Sequence, residues 1–178
     1  MVRSLLHCRL PTAHCRLPAN GVSTVFSTIV VPLDGSETAA QALPVAKEMA
    51  QRFGSRMQFV QVVDTGSASL ALGANAASGG MADPASITGE VDARVEVAKS
   101  YLSAVVDEMS GAGIDAEYAI HDGPVADDII SSAAAAGADL IIMCSHGHTG
   151  LRRLVFGSVA DKVIRNAPMP VLIVRATD

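Results

Sequence analysis

The chain has 178 residues and a formal net charge of -5, so it is long enough for one domain with a sizeable core. Its acidic balance, without a basic patch interleaved with aromatic residues, argues against a nucleic-acid-binding protein. Apolar residues make up 49% and aromatics only 3%, which predicts an aliphatic core between helices and a sheet. Gly137 and Asp139 interrupt the longest apolar stretch, so we expect no membrane span. Three cysteines are too few for a disulfide framework, and the cytoplasm is therefore the expected compartment.

The first segment, residues 1–24, repeats the pentapeptide His-Cys-Arg-Leu-Pro at 7–11 and 14–18. It lacks the apolar stretch of a secretory signal. A basic organellar transit segment is one interpretation, and a disordered leader or upstream extension is another. A third is a small metal site formed by His7, Cys8, His14 and Cys15. We predict a disordered leader or extension at 1–24, followed by a single domain at 25–178.

From residue 28 onward, strand-like and helix-like segments alternate. Short β-branched runs predict strands, and apolar positions spaced by about 3.6 residues predict helices. The predicted elements are, in chain order, a strand at 28–34, a helix at 36–54, a strand at 56–64, a helix at 90–113, a strand and turn at 114–123, a helix at 125–137, a strand at 138–145, a helix at 158–167 and a strand at 169–176. Pro44 is expected to kink the first helix or to fall in a late first turn. Residues 65–89, rich in Gly, Ala and Ser, show neither period and predict a mobile surface loop.

This alternation of strands and helices predicts an α/β protein with an open, doubly wound parallel sheet. Ligands of such sheets bind beyond the carboxyl ends of the strands, where the strand order reverses. If the order is 3-2-1-4-5, the first and fourth strands flank that crevice. Asp34 then faces the loop that follows the fourth strand.

The loop after the fourth strand, within "MCSHGHTGLRRLVFGS", suggests two chemistries. Cys144, His146 and His148 are metal-ligand types, but a structural zinc site needs four ligands and only three are local. We therefore predict no metal here and interpret Cys144 as a small residue at a strand end.

Phosphate binding is the second chemistry. Gly157, Ser158 and Val159 open a predicted helix, whose free N–H groups favour an anion, and Gly147 would allow close approach of the backbone. Asp34 can accept hydrogen bonds from ribose hydroxyls. A Walker P-loop and a dinucleotide fingerprint are both absent from the sequence.

Three segments resemble the universal stress proteins: "IVVPLDGSETAAQAL", "FVQVVD" and "CSHGHTGLRRLVFGSVADKVIRNAPMPVLIV". The third is similar to the nucleotide signature of that family, Gly-x-x-Gly, nine residues, then Gly-Ser, except that Cys144 replaces the first Gly. The resemblance covers about residues 26–176. It implies a single-domain, Rossmann-like sheet of five parallel strands, of the adenine nucleotide alpha hydrolase-like type, in the order 3-2-1-4-5.

The resemblance also implies a ligand, ATP with Mg²⁺ as its companion ion, and a role as a cytoplasmic, nucleotide-dependent stress-response switch or sensor. The positions that match the family's nucleotide site are Pro32, Asp34 and Val62 for adenine and ribose, Met143 and Gly147 for the middle, and Gly157, Ser158 and Val159 for the phosphates. His148, Arg152 and Arg153 either add charge near the phosphates or belong to a solvated loop. No residue is a clear general base, so at most slow ATP hydrolysis is expected.

An alternative function is a family member without nucleotide, acting as a dimeric partner-binding module. The Cβ and sulfur of Cys144 could crowd the ligand, which favours this alternative. The apolar strand "PVLIV" would be an exposed edge, and pairing it with a second copy predicts a homodimer under either function. A redox or metal sensor centred on Cys144 is a third hypothesis.

Overall fold

The computed structural model describes residues 25–63, 84–145 and 157–177. Its elements are, in chain order, β1 (Thr28–Pro32), α1 (Glu37–Ala40), α2 (Ala42–Phe53), β2 (Arg56–Val62), α3 (Pro84–Gly111), β3 (Ala116–His121), α4 (Val125–Ala135), β4 (Leu140–Ser145), α5 (Ser158–Asn166) and β5 (Val171–Arg175). The strands form one five-stranded sheet in the order β3-β2-β1-β4-β5, and every neighbouring pair is parallel. The predicted α/β class and strand order are confirmed.

Two aliphatic layers cover the sheet, one on each face. Successive residues of β1 alternate between them, because side chains of a strand point to opposite faces. Ile29 packs with Leu102 of α3 in the first layer, and Val30 packs with Val163 of α5 in the second. All of β1 is buried, as expected for the central strand of a sheet covered on both faces.

The segment 36–54 is helical as predicted but divides into α1 and α2 at Gln41, so it is not a single element, and Pro44 lies in the first turn of α2, which is one of the two positions expected for it. Pro44 causes the division. It has no N–H to bond the carbonyl of Ala40 four residues earlier, and its ring crowds that carbonyl. The Ser36 side chain caps α1 by accepting a hydrogen bond from the Ala39 N–H at 3.0 Å. A four-residue helix therefore stands alone between the first strand and α2.

The start of α3 also differs from the prediction. The helix begins at Pro84 and not at residue 90, so the last part of the predicted loop at 65–89 is helical. Proline is favoured in a first helical turn, since its missing N–H would have no partner there. The remainder of that loop, like the leader at 1–24, lies outside the described residues. Within the three described ranges, no helix combines the length and the apolar character needed to cross a membrane.

Candidate functional site

The site begins where β1 and β4 stop pairing. β1 pairs with β2 along its whole length, but its pairing with β4 covers only Ile29 with Leu140 and Val30 with Ile141. Backbone groups alternate sides along a strand, so the next residue of β1 facing β4 after Val30 is Pro32. Pro32 has no N–H to donate, and the ladder cannot continue through it. The carboxyl ends of the two central strands are therefore unpaired with each other, and a cleft opens between them.

The line along which β1 and β4 lie side by side is called the seam here, and at its amino end Asp139 joins the two strands. Its Oδ2 accepts hydrogen bonds from the backbone N–H of Ser27 at 2.7 Å and of Thr28 at 3.0 Å. The N–H of Asp139 in turn donates to the carbonyl of Thr28 at 2.9 Å. The seam between β1 and β4 is thus closed at its amino end and open at its carboxyl end, where parallel sheets bind ligands.

The cleft has a volume of about 260 Å³. Of the residues predicted for the nucleotide site, those that line it are Pro32, Asp34, Val62, Met143, Gly157, Ser158 and Val159. Gly147 lies outside the described residues, as do His146, His148, Arg152 and Arg153. The structure therefore brings together the predicted residues that it describes, and their contact with a ligand stays a prediction.

The floor of the cleft is apolar. Val60 and Val62 of β2 and the buried Met143 of β4 contribute to it from the sheet. Val125 and Ile129 of α4 complete it, and the sequence prediction missed both. The available signal was topological, because α4 begins just beyond the carboxyl end of β3 and so starts at the same edge of the sheet as the cleft.

The mouth of the cleft is polar on the side of β1. Asp34 is exposed, and its Oδ1 accepts a hydrogen bond from the Ser36 N–H at 2.9 Å. Gly35 between them has φ 82°, a left-handed conformation that suits glycine and allows the tight turn into α1. Thr38 and Ala39 of α1 continue this wall, and the sequence prediction missed them.

Tyr101 of α3 lies near Asp34 on the side of the first core layer. Burial, with a smaller contribution from the negative charge of Asp34, raises the pKa of its phenol. The hydroxyl oxygen is buried and has no hydrogen-bond partner among the residues that the structure describes. The phenol therefore stays neutral at physiological pH, and Asp34 is the acidic group at the mouth.

The wall opposite Asp34 is the N-terminus of α5. Gly157 is the N-cap residue, has extended ψ of 157° and supplies no side-chain cap. The first intrahelical donor is the N–H of Asp161, which bonds the Gly157 carbonyl at 2.9 Å. The N–H groups of Ser158, Val159 and Ala160 precede it and have no carbonyl partner within the helix. Such groups, together with the helix dipole, favour a bound anion.

Cys144 also lines the cleft, but its side chain packs against the first core layer, whereas that of Met143 packs against the second. It is a free cysteine, and its Sγ lies 4.0 Å from the carbonyl oxygen of Ser145. Burial raises the pKa of the thiol. Much of this side chain is therefore accommodated by the layer that includes α2, away from the apolar floor.

The sequence profile of the universal stress protein family matches residues 26–175, which include the sheet, the cleft wall and α5. The chain belongs to the universal stress protein family. Among curated universal stress proteins, it is similar to MJ0531 of Methanocaldococcus jannaschii, with 31% identity over 153 residues that cover 85% of this chain and 83% of the relative.

Solved structures agree with this assignment to the universal stress proteins. The structure of MJ0577, a protein of the same archaeon, superposes with a TM-score of 0.71 at 26% identity, covering 86% of this chain and 99% of that one. A universal stress protein from Archaeoglobus fulgidus in complex with dAMP superposes with a TM-score of 0.58 at 24% identity, covering 84% of this chain and 98% of that one. The latter likeness shows that the two universal stress proteins share a fold.

Proposed function

We propose that this universal stress protein binds ATP in the cleft between β1 and β4 and acts in the cytoplasm as a nucleotide-dependent stress-response switch. The observation that carries the proposal is the N-terminus of α5, where Gly157 supplies no side-chain cap and which lies at a cleft with an apolar floor and a carboxylate at its mouth. These three features correspond in chemistry to phosphate, adenine and ribose. The dAMP complex of a protein with the same fold supports an adenine nucleotide as the ligand.

The apolar floor suits the adenine ring. A flat aromatic ring gains free energy when it leaves water for a surface of aliphatic side chains, at about 25 cal/mol for each Å² of apolar area buried. Val60, Val62 and Met143 offer such a surface. Asp34 stands beside it with an ionisable carboxylate that accepts hydrogen bonds, as the hydroxyls of a ribose require.

The start of α5 suits the phosphates. Gly157 has no Cβ, and an ideal Cβ built there would meet no atom of the described part of the chain within 4 Å. The N–H groups of residues 158–160 can then donate to phosphate oxygens, and the Ser158 hydroxyl can add a further hydrogen bond. Mg²⁺ would accompany a triphosphate, with phosphate oxygens and water as its ligands.

The chemistry of the cleft favours a switch over an efficient enzyme. Among the described residues that line it, the titratable side chains are Asp34 and Cys144. Asp34 stands on the proposed ribose side, and the thiol of Cys144 has a raised pKa, so neither is suited to activate a water molecule at the γ-phosphate. ATP hydrolysis should therefore be slow.

The sharpest test of the ATP proposal is Gly157→Asp. Aspartate is a favoured N-cap residue, so this variant should fold with a thermal midpoint equal to or above that of the wild type. Its carboxylate would accept hydrogen bonds from the N–H groups of the first turn of α5 and repel phosphate, so ATP affinity measured by calorimetry should fall by at least about tenfold. Gly157→Asn adds a neutral cap of the same size and separates the effect of occupying the N–H groups from that of charge.

The matched control is Gly111→Asp, which adds the same charge at the exposed last residue of α3. It should leave ATP affinity unchanged within about twofold. Unaltered affinity in Gly157→Asp would contradict the phosphate assignment. A wild-type protein that carries no nucleotide on purification and shows no heat of binding with Mg-ATP would contradict the proposed function.

A homodimer through β5 is a second proposal, supported by a separate observation. β5 is an edge strand, and its apolar residues Val171, Leu172, Ile173 and Val174 are all only half-buried in the single chain. Pairing with a second copy would satisfy the edge and cover these side chains. If the chain dimerises but binds no nucleotide, partner binding by the dimer becomes the better account of its function.

Ile173→Lys tests the dimer. Light scattering after size-exclusion chromatography should give a dimeric mass for the wild type and a monomeric mass for the variant, because the new charge would be buried in the interface. Ile164→Lys is the control, since Ile164 lies on α5 and is 38% exposed. A monomeric wild type, or a dimeric Ile173→Lys variant, would refute this interface.

A further inference from the structure

The wall of the cleft formed by α1 is weakly held by its own packing. α1 has four residues, none of which is buried, and the helix ends directly after them at Gln41. A single helical turn has little stability of its own, since the cost of nucleation is not repaid by propagation. Ala39 packs against the first core layer, but Thr38 and Ser36, which also line the cleft, are not core residues. The position of this wall therefore depends on contacts from other segments.

One such contact comes from Gln41, the residue at which α1 ends. Its Nε2 donates to the backbone carbonyl of Thr177 at 3.0 Å, and its Oε1 accepts from the backbone N–H of Thr177 at 2.9 Å. The Thr177 hydroxyl donates to the same Oε1 at 3.3 Å. The side-chain amide of Gln41 thus hydrogen-bonds both the backbone N–H and the backbone carbonyl of Thr177, as a peptide group of a neighbouring strand would in a sheet.

The segment that Gln41 holds comes directly from the edge strand β5. Before it reaches Gln41, the N–H of Ala176 donates to the carbonyl of Ser145 at 3.1 Å. Ser145 is the last residue of β4 and lines the cleft. The residues after β5 therefore join the two sides of the cleft, by one hydrogen bond to the end of β4 and by the amide of Gln41 to the end of α1.

We propose that Gln41 is a positioning residue for the nucleotide cleft, which holds the α1 wall at its distance from β4 through the backbone of Thr177. The inference rests on the proposed nucleotide function and deepens it. Gln41 itself does not line the cleft, so it acts through Ser36, Thr38 and Ala39. A wall that is held in place before the ligand arrives does not have to be ordered on binding. The free-energy cost of binding is therefore smaller and the affinity is higher.

The test compares Gln41→Ala with Gln51→Ala in the full chain. Gln51 is an exposed glutamine of α2 away from the cleft, and its replacement controls for the loss of a surface amide. Calorimetry with Mg-ATP should give a dissociation constant about fivefold higher for Gln41→Ala than for the wild type, as expected for the loss of about one net hydrogen bond. Amide hydrogen exchange at Ala39 and Ala40 should accelerate by a similar factor, while Gln51→Ala changes neither quantity.

Gln41→Glu distinguishes positioning from general destabilisation. An ionised glutamate can accept from the Thr177 N–H but cannot donate to its carbonyl, whereas a protonated glutamate can do both. Relative to the wild type at each pH, ATP binding by Gln41→Glu should be weakened at pH 7.5 and should recover only as the pH falls to about 4, where an ordinary glutamate side chain becomes protonated. A purely structural contribution would change the thermal midpoint without this relative recovery of affinity.

The outcomes separate the two proposals. If the wild type binds ATP and Gln41→Ala shows unchanged exchange in α1 or unchanged affinity, the positioning role is refuted while the nucleotide function stands. If the wild type binds no ATP, the nucleotide function fails in the unmutated protein, and the positioning role fails with it. Weaker binding and faster α1 exchange in Gln41→Ala, with recovery in Gln41→Glu at low pH, support it.

Discussion

Replacing Asp139 with alanine should loosen the seam between the two central strands. Its Oδ2 accepts two backbone hydrogen bonds, from Ser27 at 2.7 Å and from Thr28 at 3.0 Å. A hydrogen bond to a charged group contributes about 1.5–3 kcal/mol. The Ser27 N–H is exposed and water can replace its partner, but Thr28 is only 5% exposed. We therefore expect the free energy of unfolding to fall by about 2–3 kcal/mol, most of it from Thr28.

The assay is equilibrium unfolding in urea, read by circular dichroism. A loss of this size corresponds to a drop of roughly 5–10 °C in thermal midpoint for a domain of this length. Asp139→Asn keeps a side-chain oxygen and should lose less. Asp127→Ala is the matched control, because Asp127 makes an exposed ion pair with Lys162 and its loss should cost below about 1 kcal/mol. If Asp139→Ala loses no more stability than Asp127→Ala, the seam argument is wrong.

Two further predictions concern Gly123, in the turn between β3 and α4, and the thiol of Cys144. Gly123→Ala should destabilise the fold by about 1–3 kcal/mol, mainly because Gly123 has φ 158°, a backbone conformation that residues with a side chain rarely adopt. The new Cβ would also lie 2.5 Å from Asp128 Oδ2, but that carboxylate can turn away, so adding Asp128→Ala should recover only a small part of the loss in a double-mutant unfolding cycle; full recovery would contradict this assignment. Burial raises the pKa of Cys144, so with Cys8 and Cys15 replaced by alanine, its alkylation by iodoacetamide should be slower in the folded chain than in urea at pH 8. Equal alkylation rates in the folded and the unfolded chain would refute this assignment. Because the pKa of the thiol is higher in the folded state, the stability that this thiol contributes is present below the ordinary thiol pKa and is lost as the pH rises towards the raised value.

The sheet was predictable because its determinants are local. Buried strands such as β1 and β4 consist of β-branched and aliphatic runs, and their alternation with helices determines the topology. The helix boundaries were less accessible, because they depend on single residues. Pro44 divides α1 from α2 by removing one backbone donor, and Pro84 begins α3 in a segment whose composition resembles a loop. Periodicity averages over such positions and does not resolve them.

The site was predictable to the extent that its residues directly follow strands. Pro32, Val62 and Met143 could be placed at one edge of the sheet from topology alone. The contribution of α4 required knowing how that helix crosses the sheet. The bond between Gln41 and Thr177 joins residues 136 apart in sequence, and nothing in the sequence around either residue indicates that they pair. Contacts of this kind are products of the tertiary fold and have no local signature.

The missing donor at Pro32 has a consequence for how this family could diversify. The gap between β1 and β4 results from backbone chemistry, so it exists before any ligand arrives and does not depend on which side chains surround it. Residues around the cleft can then be exchanged without rebuilding the sheet, provided that the proline and the carboxylate of Asp139 remain. A scaffold that separates the making of a pocket from its selectivity allows relatives with the same fold to acquire different ligands.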